Sequence, residues 1–302
     1  MTIENKLLAV VCGPTASGKT ATAIRLASSL STEIISADSR QFYRQMKIGT
    51  AFPSEEELLV IPHHFTGHLD ITEDYNVSRF ETDALKLLDE LFLEHSIVIM
   101  AGGSGLYINA VCRGIDLLPD PDPELRQELK IKLAEEGLAW LQQKLREYDP
   151  HYYSIVDLQN PARLIRAVEV SMISGIPYSD LLNRKPADRH FRILKSGLYV
   201  PKEELNVRIG KRVDSMIASG LIEESRELYP LRHLNAMNTV GYKELFVYFD
   251  GKCTLKEAID KIKTNSRRYA KRQMTWFRKD HEIRWFRPEE ATKMLEYKKK
   301  GN

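Results

Sequence analysis

The sequence predicts an α/β fold, a parallel sheet flanked by helices and interrupted by an all-helical insertion. Three observations predict it. The apolar run Leu7–Cys12 opens into Gly-Pro-Thr-Ala-Ser-Gly-Lys-Thr (13–20) and then into the helix-favouring stretch Ala21–Leu30. Strand-like and helix-like segments alternate through the N-terminal portion, as in a parallel sheet with helices on both faces. From Glu124 to about Asn183 strand character vanishes, and it returns only at Ile193–Val200.

The elements follow in order. Leu7–Cys12 reads as a buried strand, Ala21–Leu30 as a helix and Glu33–Ala37 as a second strand. After a longer irregular stretch, Ser78–His95 carries Leu85, Leu88 and Leu91–Phe92 at helical spacing. Ser96–Ala101 is a buried strand that runs into Gly102-Gly103-Ser104-Gly105. Prolines at alternate positions in Pro119-Asp-Pro-Asp-Pro123 forbid a helix or central strand and mark a boundary. The helical region beyond is broken near Asp149-Pro150 and Asn160-Pro161. Helices at about Lys202–Ser219, Thr239–Phe249 and Thr254–Lys279 close the chain. The expected organisation is a core of residues 1–118 and 191–302 around a helical insertion of residues 119–190.

Composition narrows the function classes. At 302 residues and 43% hydrophobic, the chain can bury a sizeable core. Its formal net charge of +2 hides a local asymmetry: Lys261 to Lys279 holds eight Lys/Arg and no Asp/Glu. Such a block is a solvated helix face or a polyanion-binding surface. Cys12, Cys112 and Cys253 are scattered without metal-ligand spacing, which argues for a reducing compartment, the cytoplasm, and against a disulfide framework. The eight histidines include His63–His64 but no zinc-binding pattern, so no zinc site is expected. No apolar run is long enough for a membrane span, and the first strand lies too near Met1 for a cleaved signal.

Residues 13–20 form a complete phosphate-binding loop in the strand–loop–helix setting it needs. Gly13 and Gly18 let the backbone curl so that the amides of Pro14-flanked Thr15, Ala16 and Ser17 can face an anion. Lys19 adds a point charge, and Thr20 offers a hydroxyl to Mg²⁺. A turn that merely starts a helix explains the glycines but not the adjoining Lys19-Thr20. Asp38 follows the second strand at its carboxyl end, where ligands of parallel sheets bind. It could take a proton or hold Mg²⁺ through water, or it could simply close the following turn. The strand at 97–101 lacks the terminal acid that holds the metal in many phosphate-loop nucleotidases. That lack weakens hydrolysis and favours a transferase that uses the loop as a diphosphate cradle. Arg208 and Arg212 lie four apart, so one helix face could offer both to a phosphate. On the last helix Ile259, Ile262, Tyr269 and Trp276 share one stripe, read as core. Lys261, Arg268, Arg272 and Lys279 share another, with the footprint of a nucleic-acid surface.

Taken together, these segments resemble the bacterial tRNA dimethylallyltransferases, the tRNA isopentenyltransferase family. The resemblance runs through residues 13–20, Ser-Ala-Asp-Ser-Arg-Gln-Phe-Tyr (36–43), Ile-Gly-Thr-Ala (48–51) and Pro-His-His (62–64). It continues through Gly-Gly-Ser-Gly-Leu-Tyr (102–107), Ala-Arg-Leu-Ile-Arg-Ala-Val-Glu (162–169), Val-Gly-Tyr-Lys-Glu (240–244) and Arg-Tyr-Ala-Lys-Arg-Gln-Met-Thr-Trp-Phe (268–277). A phosphate loop alone belongs to scores of families, whereas the ordered set is specific.

The resemblance implies a P-loop NTPase-like core and transfer of a dimethylallyl group from its diphosphate to N6 of the adenine 3′ of the anticodon, with Mg²⁺. Asp38 would be the base, Thr15–Thr20 would hold the diphosphate, and Ser104 and Arg212 would steady the leaving group. Thr20 and Asp38 would stand nearest the metal. The tRNA contacts implied are Asp38, Ser39, Arg40 and Gln41 with Ser104, then Ala162, Arg163, Leu164, Ile165 and Arg166 in the insertion. Asn238, Thr239, Val240, Gly241, Tyr242 and Lys243 follow, and then Lys271, Arg272, Gln273, Met274, Thr275, Trp276, Phe277 and Arg278. The insertion would grip the anticodon stem-loop, and the chain would act as a monomer. Phe52 stands where the family often has Lys, and Ser104 replaces the commoner Thr. Three rivals use part of the same residues. A small-molecule kinase uses the loop and Asp38 but leaves the basic helix without a role. An enzyme prenylating free adenine nucleotides is told apart by comparing AMP with an anticodon stem-loop RNA as acceptor. A non-catalytic RNA-binding protein has no use for Lys19-Thr20.

Overall fold

The computed structural model describes residues 6–182, 185–290 and 293. Six strands, β1 (Leu7–Cys12), β2 (Ile34–Ser36), β3 (His63–His64), β4 (Ile97–Gly102), β5 (Arg192–Leu198) and β6 (Arg284–Phe286), form one sheet in the order β3-β2-β4-β1-β5-β6. Every pairing is parallel, with Leu7 opposite Ile97 on one side and Arg192 on the other. β1 is buried along its whole length. Leu8, Val10 and Cys12 enter one hydrophobic cluster, while Leu7, Ala9 and Val11 enter another on the opposite face. A strand covered on both faces needs a continuous apolar run, which is what Leu7–Cys12 supplies. The arrangement is the P-loop NTPase-like sheet.

Its helices start where local chemistry permits. α1 (Lys19–Leu30) begins earlier than the sequence suggests, because Gly18, at φ 89°, caps it in the left-handed region. Lys19 and Thr20 therefore stand in the first turn, whose amides have no intrahelical acceptor. The irregular stretch before α3 (Val77–Glu94) contains a short helix, α2 (Glu55–Val60), closed by a Ser54–Glu57 capping box. α4 (Gly105–Arg113) follows the glycine turn directly. Towards the C-terminus come α9 (Lys202–Ala218), α10 (Leu221–Leu228), α11 (Tyr242–Phe249) and α12 (Leu255–Phe277). α10 goes unread in the sequence because its eight residues, set off from α9 by Ser219-Gly220, are too few to show a clear period. α11 starts at Tyr242 rather than Thr239, because Gly241, at φ 110°, stands at its cap. β3 and β6 are likewise too short for periodicity to reveal.

The chain divides into two compact units, residues 1–112 with 189–302, and residues 113–188. The helical unit thus begins at Arg113, ahead of the proline run at 119. Ala187 N donates to Arg113 O at 2.7 Å, so its two ends are joined before those prolines are reached. The unit contains α5 (Pro123–Tyr148), α6 (Pro150–Ile155), α7 (Pro161–Ser174) and α8 (Tyr178–Leu181). The prolines that interrupt the pattern are helix starts. Asp122, Asp149 and Asn160 each cap a helix whose first residue is proline. Gly137, at φ 81°, kinks α5, and Leu129, Leu141, Leu145, Leu164 and Val168 fill the core between α5 and α7. Buried Glu169 receives Arg126 at 2.5 Å and Arg166 at 2.9 Å. Among the described residues no helix is long and apolar enough to cross a membrane.

Candidate active site

The carboxyl ends of β1, β2 and β4 lie side by side in the sheet, and each delivers a motif. β1 gives the phosphate loop, β2 gives Asp38, and β4 gives Gly103-Ser104-Gly105. α9, α12 and the segments at 49–51 and 238–243 complete a cavity of about 390 Å³ within the sheet-bearing unit. Thr15, Lys19, Thr20, Asp38, Arg212 and Arg272 supply its polar wall, and Ile209, Val213, Met216, Val240 and Ile262 its apolar one.

Loop geometry follows from the sequence. Gly13 takes φ 147°, and a Cβ there would stand 3.0 Å from Leu198 O. Ser17 N and Lys19 Nζ both reach Pro14 O, at 3.3 and 2.8 Å, so the loop is closed on itself. The Ser17 hydroxyl is buried with no partner and does not line the cavity. Its amide is engaged by Pro14 O, so the expectation that Ser17 faces the anion is not met by this arrangement.

Two cations face one carboxylate. Burial pulls the Lys19 ammonium down to about 8, with Asp38 opposing that shift and Arg212 adding to it. Burial likewise lowers the Arg212 guanidinium, which Asp38 offsets in part. The site thus holds desolvated positive charge in excess, the condition an anion relieves. Arg212 is steadied by Thr50 O at 3.4 Å. Gln41 donates to Thr50 O and Ala51 O at 3.2 and 3.0 Å, and Glu224 accepts from Ile48 N and Gly49 N at 2.8 and 3.0 Å. Asp38 closes its turn through Oδ1, which accepts from Arg40 N at 3.3 Å, and it also lines the cavity. Asp38 therefore closes the turn and also faces the cavity.

Other candidate residues separate into those at the cavity and those behind it. Arg208 pairs with Glu204 at 2.6 Å and lies near Glu289, so only Arg212 of the arginine pair lines the cavity. Ser104 is one layer back: its Oγ accepts from Ser39 N at 3.0 Å and meets Ser39 Oγ at 3.1 Å. Ser39, Arg40, Gln41, Asn238, Thr239, Val240, Gly241 and Lys243 line the cavity, whereas Tyr242 is fully buried with its hydroxyl on Glu224. A Cβ on Gly49 would collide with the Tyr242 ring, so this tyrosine shapes the loop at 48–51 from inside the core. In α12, Lys271, Arg272 and Thr275 are exposed, as is Arg278 at its C-cap, Met274 is half-buried, and Gln273 and Phe277 are buried. Trp276, read as core, is 40% exposed. In α7, Ala162 and Arg163 are exposed, but Leu164 and Ile165 pack in the helical core and Arg166 is engaged by Glu169 and Pro119 O. A helix seats one side in the core, so a contiguous motif cannot be all contact. Phe52, in place of a basic residue, packs its ring where a Cβ on Gly67 would fall.

Sequence reasoning missed Tyr269 as a site residue, and it missed the apolar wall. Tyr269 lines the cavity beside Asp38, and burial with that negative neighbour holds its phenol well above the usual range. Ile209, Val213 and Met216 have the spacing of an ordinary core stripe, which gives no signal that part of it faces a cavity.

Similarity to known proteins agrees with this geometry. The model of the IPP transferase family matches residues 41–280. A tRNA dimethylallyltransferase of Christiangramia forsetii is 53% identical over 293 residues, 97% of each chain. Another, tRNA dimethylallyltransferase 1 of Bacteroides thetaiotaomicron, is 49% identical, over 96% of this chain and 94% of its own. The solved tRNA isopentenylpyrophosphate transferase of Bacillus halodurans superposes with a TM-score of 0.70 at 37% identity, covering 98% of both chains. A eukaryotic dimethylallyltransferase, solved as snapshots of its action on tRNA, gives 0.75 at 27% identity, over 90% of this chain and 69% of its own. The chain belongs to the IPP transferase family.

Proposed function

We propose that this chain transfers the dimethylallyl group of dimethylallyl diphosphate to N6 of the adenine 3′-adjacent to the anticodon of tRNA. The observation that carries the proposal is one cavity in which two desolvated cations and Asp38 share a wall with apolar side chains. The diphosphate lies against the first-turn amides of α1, Lys19 and Arg212, and the isoprenoid chain against Ile209, Val213 and Met216. N6 attacks C1, the C1–O bond breaks with its electrons going to the diphosphate, and the N6 proton passes to Asp38. Charge on the departing diphosphate is stabilised by donors already in position. The adenine must leave its stack to enter, as bases do in enzymes that modify them.

Thr20 and Asp38 fit a Mg²⁺ ion only in part. No group of three or more His, Cys, Asp or Glu able to hold a metal occurs among the described residues. One hydroxyl and one carboxylate suit an ion that takes most of its ligands from the diphosphate and water. Bound, it would neutralise charge on the diphosphate.

Exposed Lys261, Arg268 and Arg272 on α12, with Lys279 in the turn just after it, support RNA binding there, and exposed Arg163 supports a grip on the anticodon stem-loop by the helical unit. On this reading the chain works as a monomer in the cytoplasm, where its substrate is. The test supplies purified chain with labelled dimethylallyl diphosphate and unmodified tRNA, with ATP as competitor and AMP as alternative acceptor. Label should enter tRNA and not AMP. Phosphoryl transfer from ATP without turnover of the diphosphate would instead establish a kinase. Asp38→Ala should lose about 10²–10⁴-fold in turnover and keep its tRNA affinity. A near-normal single-turnover rate would remove Asp38 as the base.

A further inference from the structure

We propose that Gln273 is a positioning residue that fastens the phosphate loop to α12, so that RNA seated on α12 firms the loop holding the diphosphate; the RNA half of this rests on the function proposed above. Gln273 is 6% exposed, although its neighbours Lys271 and Arg272 face solvent. Its Oε1 accepts from Thr15 N at 2.8 Å, and its Nε2 donates to Gly103 O at 2.9 Å. A carboxamide has one acceptor end and one donor end, and here each end meets a different turn of the site.

The loop's internal bonds leave this joint to α12. Ser17 N and Lys19 Nζ both close on Pro14 O, while the amide of Thr15 is satisfied from outside the loop. The fit at Gly103 is equally specific. A Cβ there would run into Gln273 Nε2, and one on Gly105 would run into the Trp276 ring. α12 therefore rests directly on the glycine turn. One helical turn earlier, Tyr269 lines the cavity beside Asp38, and Ser104 holds the next residue, Ser39. A single face of α12 thus touches both the diphosphate loop and the turn bearing the base. Arg272, next to Gln273, lines the cavity mouth and belongs to the basic stripe.

Fixing α12 with RNA should restrict the loop, and by linkage the diphosphate and the RNA should each tighten binding of the other by one common factor. Gln273→Met keeps the length of the side chain and removes both bonds, leaving Thr15 N and Gly103 O unpaired. It should raise KM for dimethylallyl diphosphate about tenfold while changing stem-loop affinity less than about twofold. Gln273→Glu keeps the acceptor for Thr15 N and should recover part of that loss. The decisive measurement is amide exchange at Gly13 and at residues 15–17, in the wild-type chain and in Gln273→Met, with and without an anticodon stem-loop RNA and with no diphosphate. RNA should slow exchange by roughly fivefold or more, and Gln273→Met should abolish the slowing while still binding the RNA. Exchange unchanged in a chain that binds and prenylates the stem-loop would overturn the role of Gln273 and leave the proposed function standing. A chain that neither binds nor prenylates it would overturn both.

Discussion

α7 and α12 both carry basic motifs of the family, yet they distribute their side chains differently. In α7 the motif at 162–166 sends Leu164 and Ile165 into the core and commits Arg166 to buried Glu169, which leaves Ala162 and Arg163 outside. In α12 a full basic stripe stays in solvent, and the buried side is used for the site itself through Gln273, with Tyr269 at the cavity wall. The difference teaches that a motif on a helix combines two demands. At 3.6 residues per turn, five consecutive residues visit every side. Some build the element, and others face what the element meets.

Substitutions can break that division. The largest effect should come from Phe277→Ala, which empties a buried aromatic position in α12 and should cost about 3–5 kcal/mol in urea unfolding. Leu164→Ala in α7 should cost about 2–5 kcal/mol by the same route. If either variant kept its stability and lost RNA affinity instead, the assignment of that side chain to the core would be wrong.

Next in size is the contrast along α9. Arg212→Ala should weaken inorganic pyrophosphate binding about 10–100-fold, whereas Arg208→Ala, at a surface pair with Glu204, should change it less than about twofold. Equal losses in a titration of the two variants would place both arginines on the anion.

Acidity offers a third test. Lys19 titrates at about 8 in the folded chain against an ordinary 10.5, because burial disfavours its charge. An anion in the cavity favours the charged amine, so pyrophosphate affinity should be full below about 8 and fall as pH rises through it. Folding stability should move the other way. Between about 8 and 10.5 the unfolded chain holds more protons at this residue, so the folded state gains as pH rises across that window. Calorimetry in buffers of different ionisation enthalpy should detect proton uptake on binding near pH 8.5, and Lys19→Met should abolish it. The smallest effect belongs to the solvated stripe. Arg272→Ala should reduce the salt slope of RNA binding by about one and alter stability by less than about 0.5 kcal/mol. An unchanged slope would return Arg272 to the status of an ordinary surface charge.

Much of this was legible before any coordinates. Leu7–Cys12 and Ile97–Ala101 are apolar on both faces and could only be central strands. Gly18-Lys19-Thr20 fixed the loop, and the Asp/Asn-Pro pairs fixed the joints of the helical unit. What stayed hidden has a physical reason. β6 has three residues, too few for a period to show. The apolar cavity wall on α9 has the spacing of any core stripe. The two bonds of Gln273 join positions 258 and 170 residues apart in sequence, and no local pattern encodes such pairs.

The chain segment after α12 bears on how the site is finished. β6 adds to the sheet beside β5, Lys195 of β5 holds Asp280 and Glu282 at 2.7 and 2.9 Å, and Pro288 O receives Arg25 of α1 at 2.9 Å. Pro288 also lies against Gly18 at the exit of the phosphate loop. During synthesis that loop leaves the ribosome well before its buttress at Gln273, 258 residues beyond Thr15, and its cover at Pro288. Contacts of such sequence separation form late and slowly. The phosphate loop therefore emerges without these two supports and is completed only after the chain has been made through Gln273 and Pro288.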